Sequence, residues 1–195
     1  MIDYYDVTAL IVCSGPTTRL TRCLRSCLAQ TLPGRSLEVL VVNSPPESSL
    51  DSYMANQKVS IQLISGQDPN WIDATMFTSV LAKTTSQFVV ILDGNDYIRN
   101  HMFYFQLLYL YDNPNVNGVA VDHWLVEKHS DKKLEKHSFS DTRYLSGIMW
   151  RKDYLDSSGS MFLRDGLLSL DEISPKQLES LQIGNLPISF LRRSM

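Results

Sequence analysis

Phe88-Val89-Val90-Ile91-Leu92-Asp93-Gly94-Asn95-Asp96 holds the most hydrophobic strand-like run in the chain, and it passes directly into a polar turn. An unbroken apolar run rich in β-branched residues suits a strand buried on both faces, the habit of parallel sheets packed between helices. Such sheets bind ligands outside the carboxyl ends of their strands, so the residues directly after the run are the first candidates for chemistry. Two carboxylates and an amide oxygen fall within four residues there, on a turn that Gly94 permits. They are hard oxygen ligands suited to Mg²⁺ or Mn²⁺, with a diphosphate able to supply the remaining positions. Asp93 and Asn95 also read as turn formers that hydrogen-bond their own backbone. The residues alone leave both readings open.

Upstream, Val7 to Val12 is a second buried-strand run, ending at Cys13-Ser14-Gly15-Pro16. Leu20, Cys23, Leu24, Cys27 and Leu28 then repeat at the spacing of an amphipathic helix, which Pro33-Gly34 stops. Leu37 to Val42 is a strand closed by Asn43-Ser44-Pro45-Pro46, so a βαβ unit stands complete within the first fifty residues. Ser48 to Met54 reads as a short helix, Val59 to Ile64 as a third strand, and Gly66 to Asn70 as a loop. Ile72, Met76, Phe77, Val80 and Leu81 mark another helix. Beyond the turn, helix is expected from Arg99 to Tyr111 and strand from Gly118 to Asp122. The four-lysine stretch Glu127 to His137 reads as a solvated loop or hairpin tip. Tyr144 to Trp150 reads as strand, Arg151 to Leu155 as a helical turn, and Leu178, Leu181 and Ile183 fall on one helical face. The pattern is α/β, and 195 residues predict a single domain over 1–195, with a nucleotide-binding part at 1–122 and an acceptor-side part at 123–195.

Hydrophobic content of 44% with 20% charged residues is globular, and no uncharged apolar run is long enough to span a bilayer. An acidic start without a signal-type pattern predicts cytoplasmic residence, with any membrane association supplied by partners. A net charge of −3 argues against a nucleic-acid partner. Cys13, Cys23 and Cys27 have no histidine at metal-ligand spacing nearby and are expected to be buried thiols. His101, His123, His129 and His137 share no metal spacing. His123-Trp124 at a strand end either packs into the core or places an aromatic plane beneath a sugar. A nucleotidyltransferase finds no support, because no glycine-rich phosphate loop lies near the N-terminus.

Several of these segments together resemble the family 2 glycosyltransferases, whose domain has the GT-A fold. Leu20 through Thr31 is similar to that family's L-x-x-C-L-x-S-x-x-x-Q-T helix. Glu38 to Ser44 resembles its E-I-I-V-V-D-D strand, and Phe88 to Ile98 its Y-I-L-F-L-D-S-D-D-Y-I segment, at the right spacing. Ser146 to Lys152 resembles the G-x-x-x-F-R-R step, and Asn185 to Arg192 the closing I-P-x-x-L-x-x-Y-R.

The resemblance implies an inverting transfer of a sugar from a nucleotide-diphosphate donor, expected to be UDP-linked, to a glycan, lipid or protein acceptor in surface polysaccharide synthesis. Carried over residue by residue, Val12, Cys13, Ser14, Asn43 and Asp93 hold the nucleotide, and Asp93, Asn95 and Asp96 hold Mn²⁺ or Mg²⁺. The catalytic base comes from Asp171-Glu172 or from Asp165. Asp96 alternatively touches the sugar or caps the helix near Asn100. Departures from the pattern are specific: Asn43 and Asn95 stand where the family has aspartates, and Met76 to Val80 replaces its A-R-N-x-G segment, removing an arginine. These departures imply a second reading, a catalytically inactive domain of this type that binds or scaffolds a partner. The short C-terminal portion implies a protein partner or a homo-oligomer.

Overall fold

A computed structural model describes residues 6–13, 19–42, 60–64, 73–127, 132–139, 145–158, 163–164, 167–168 and 181–194. In chain order the strands are β1 (Val7–Val12), β2 (Leu37–Val42), β3 (Ser60–Ile64), β4 (Phe88–Asp93), β5 (Tyr97–Ile98), β6 (Gly118–Val126), β7 (Lys133–His137), β8 (Met149–Arg151), β9 (Leu163–Arg164), β10 (Leu167–Leu168) and β11 (Ile183–Ser194). The helices are α1 (Leu20–Leu28), α2 (Ala74–Lys83), α3 (Met102–Asp112) and α4 (Lys152–Ser158). One nine-stranded sheet runs β3-β2-β1-β4-β8-β6-β11-β5, with β7 paired to β6. β3, β2, β1 and β4 are mutually parallel, and so are β6 and β11, whereas β8 lies antiparallel between β4 and β6. This is the α/β architecture expected, with a mainly parallel central sheet flanked by helices.

Side-chain alternation divides the core in two. Ala9 and Ile11 of β1 and the following Cys13, with Val90 and Leu92 of β4, bury α1 and α3 on one face. Leu10 and Val12, with Val89 and Ile91, bury α2 and α4 on the other. Burial on both faces is why these strands read as continuous apolar runs. The predicted helical stripe of α1 is realised, since Leu20, Cys23, Leu24 and Cys27 are all buried, and the three cysteines are free thiols.

Several expectations are corrected. α3 begins at Met102, because His101 takes a left-handed conformation (φ 70°) that ends helical continuity toward Arg99. β6 runs to Val126 and carries His123 and Trp124 inside the strand, and the charged segment after it returns as β7. Of the expected strand 144–150, residues 145–147 form a turn with Gly147 at φ 87°, and β8 starts only at Met149. Ile183 opens the long strand β11 and sits on no helix. The pairing of β11 with β6 shifts register after Leu186, where Pro187 lacks a donor, so no clean alternation marks the strand. The helix expected at Ser48 to Met54, the loop from Gly66 to Asn70 and Leu178 lie outside the described residues.

Candidate active site

The carboxyl ends of β1, β2 and β4 finish level. Val12 stands opposite Val42 on one side and Asp93 on the other. Cys13 N donates to Val42 O at 3.0 Å and Gly94 N to Val12 O at 2.8 Å, knitting the three ends into one rim. Val12, Cys13, Asp93, Asn95 and Asp96 are thereby brought together. Ser14 and Asn43, which follow β1 and β2 in sequence, lie outside the described residues, as do Asp165, Asp171 and Glu172.

Within the turn, Asp93 Oδ1 accepts from Asn95 N at 2.8 Å, and Asp93 O accepts from Asp96 N at 3.0 Å. The turn-forming role is therefore real, and it occupies one of the two Asp93 carboxylate oxygens. Asp93 and Asn95 are half-buried, facing the rim, whereas Asp96 is 1% exposed. Ser146 Oγ donates to Asp96 Oδ2 at 2.7 Å and accepts from Asp93 N at 3.0 Å. One hydroxyl from the turn before β8 thus ties both acids of the motif. The N-cap position of helix α3 is His101, whose side chain makes no capping hydrogen bond.

Helix α1 braces the same segment from the other face. Ser26 Oγ accepts from Ile98 N at 3.1 Å, and Cys23 Sγ donates to Asp93 O at 3.6 Å. Gln30 Nε2 donates to Arg99 O at 2.9 Å while its Oε1 accepts from Phe103 N at 3.1 Å. The Arg22 guanidinium lies 3.5 Å from the centroid of the buried Tyr97 ring. The polar positions of the α1 pattern therefore hold the chain that leaves the acidic turn. A hydrogen bond to Cys27 and complete burial push the Cys23 thiol well up, favouring its protonated form.

Among the described residues, no three His, Cys, Asp or Glu side chains are grouped to hold a metal ion. The turn offers a sparser donor set, one Asp93 carboxylate oxygen and the Asn95 amide. That set fits a cation which keeps water and takes its other ligands from a diphosphate. Met76 to Val80, where an arginine was missing, lies in α2, with Phe77 and Val80 buried. His123 is buried and stacks on His137 at 5.4 Å between ring centroids. Ser146 was not singled out from sequence; a lone serine before a glycine carries no periodic signal, and its role exists only once β8 is inserted beside β4.

No family model matches this sequence, and neither does any curated protein sequence. Its fold matches that of S. aureus TarS structures. S. aureus TarS, residues 1–349 in complex with UDP-GlcNAc, matches with a TM-score of 0.71 over 97% of this chain at 13% identity. The same fragment with UDP gives 0.68 at 14% identity, and the longer TarS structure gives 0.69 at 14%. The chain spans 58% of the TarS fragment bound to UDP-GlcNAc and 37% of the longer TarS chain. No helix among the described residues is long and apolar enough to cross a membrane.

Proposed function

We propose that the protein is an inverting glycosyltransferase that moves a sugar from a UDP-linked donor to a glycan, lipid or protein acceptor in surface polysaccharide synthesis. The observation that carries this reading is the single rim at which β1, β2 and β4 end, with the Asp93 turn braced from both faces by Ser146 and α1. The likeness to TarS, solved with UDP and with UDP-GlcNAc, supports the choice of donor. In this reading Val12, Cys13, Ser14 and Asn43 hold the nucleoside. Asp93 and Asn95 hold Mn²⁺ or Mg²⁺ on the diphosphate, and Asp96 fixes the turn through Ser146. The metal's chemistry would be to neutralise the departing diphosphate. A carboxylate from Asp171-Glu172, or Asp165, would take the acceptor proton.

Isothermal titration of the chain with UDP, UDP-GlcNAc and UDP-glucose, with and without Mn²⁺, tests the proposal. Metal-dependent binding is expected, and absence of binding to all three rejects it. Asn95→Asp is expected to raise the metal-dependent affinity, because a second carboxylate restores charge to the ligand set; an unchanged affinity removes the metal from this turn. A second reading, an inactive domain that scaffolds a partner, is favoured by Asn43, Asn95 and the apolar packing of α2. Nucleotide binding without hydrolysis or transfer of any offered sugar would select it.

A further inference from the structure

β6 continues past the level at which β1 and β2 stop, and its last residues build a second group of side chains on the face of the sheet that carries Asp93. In β4 that face holds Val89 and Ile91, and in β6 it holds Ala120, so alternation puts Asp93, Asp122 and Trp124 on the same side. The registers align Val89 with Trp150 and Gly118, and Val90 with Met149 and Val119. Carried forward three residues, they set Asp93 level with Asp122, with Ser146 between them, and Ser146 does bond the Asp93 amide. At the ordinary strand spacing, Asp122 then stands about 10 Å across the sheet from Asp93.

β7 completes the group. Lys136 pairs opposite Trp124, and its Nζ lies 3.1 Å from Asp122 Oδ2. Lys133 Nζ lies 4.8 Å from the centroid of the Trp124 ring. Asp122 is buried and its other oxygen accepts from Phe139 N at 3.4 Å, while Lys136 is 46% exposed and Trp124 half-buried. An aromatic plane beside an oriented ammonium is suited to a pyranose. The plane takes the apolar face of the sugar ring, and the ammonium's remaining N–H groups take hydroxyls.

We infer that Asp122, Trp124, Lys133 and Lys136 form an acceptor subsite for a pyranose unit of a glycan. Trp124 is its platform, and Lys136, held by Asp122, donates to the sugar hydroxyls. Lys133 moves to the ring edge as the sugar docks. The inference rests on reading the Asp93 turn as the diphosphate site: a donor whose nucleoside lies over β1 and β2 extends across β4 toward β6.

Saturation-transfer NMR and titration with methyl β-glucoside and the methyl glycoside of N-acetylglucosamine, on the chain with UDP and Mn²⁺, tests it. Both neutral glycosides are expected to bind, Trp124→Leu to abolish transfer to their ring protons, and Lys136→Ala to weaken affinity about tenfold, the scale of a lost hydrogen bond to a charged donor. UDP affinity in both variants reports that the fold is intact. UDP binding with no glycoside binding, or glycoside binding unchanged in Trp124→Leu, overturns the subsite and leaves the proposed donor site standing. Absence of UDP binding instead strikes the functional reading, and glycoside titration without UDP separates the two failures.

Discussion

Ser146 joins the two acids of the turn through one hydroxyl, donating to Asp96 and accepting from the Asp93 amide. Ser146→Ala leaves a buried carboxylate and a backbone donor short of a partner. It is expected to cost about 1–3 kcal/mol in urea unfolding and to lower metal-dependent UDP affinity, with Ser146→Thr retaining both. At the opposite end of the sheet, Glu38 is buried and its Oε2 accepts from Thr8 Oγ1 at 2.7 Å. Burial raises the Glu38 carboxyl above its ordinary value, against the opposing effect of the Thr8 hydrogen bond. A raised folded-state value means that the group favours folding most in acid, below its unfolded value, and that this contribution is lost as pH rises through the folded value. Thermal unfolding of Glu38→Gln relative to wild type should therefore improve progressively from pH 4 to pH 7; a difference independent of pH would reject the burial effect. Asp93, Asn95 and Asp96 were legible in the sequence because a hydrophobic strand pointed at them. Ser146 was not, since its partners lie 50 and 53 residues away.

Among the elements, α1 shows how a motif recognised by pattern acquires a physical role. Its apolar positions were legible as a 3.6-residue stripe, but Gln30, beyond the last helical turn, carries the link to Arg99 O and Phe103 N. Gln30→Ala is expected to destabilise the chain by about 1–2 kcal/mol and to speed hydrogen exchange at Phe103 selectively. Unchanged exchange there would show that α3 is held by its apolar face alone. β1, β2 and β4 could be read from sequence because burial on both sides makes them continuous apolar runs. β5 spans two residues and β8 three, too few for any period to register, and β11 hides behind Pro187 and its register shifts. The half of the molecule beyond β4 was consequently the less legible one.

For the whole molecule, the sheet joins two unlike halves. β1, β2, β3 and β4 all fall within the first 93 residues and pair parallel in the order expected of successive crossovers. Beyond β4, the neighbours are β8, β6 and β11, so a strand from residues 149–151 sits between strands that both precede it in the chain. The Asp93 rim belongs to the first half, yet it is held by Ser146 from the second. UDP with Mn²⁺ should accordingly raise the unfolding midpoint of both halves together, followed separately by exchange at β2 and β6 amides; protection confined to β2 would show that the halves are uncoupled.

The inserted position of β8 also sets a timetable for folding. As the chain is synthesised, β1 through β4 can pair as soon as residue 93 has emerged, whereas β6 must leave a gap for β8, and β11 closes the row later still. The acidic turn, although made by an early strand, stays unfinished until Ser146 arrives beside it. In pulse-labelled refolding, the amide of Asp93 should become protected with β6 and β8, after its own strand.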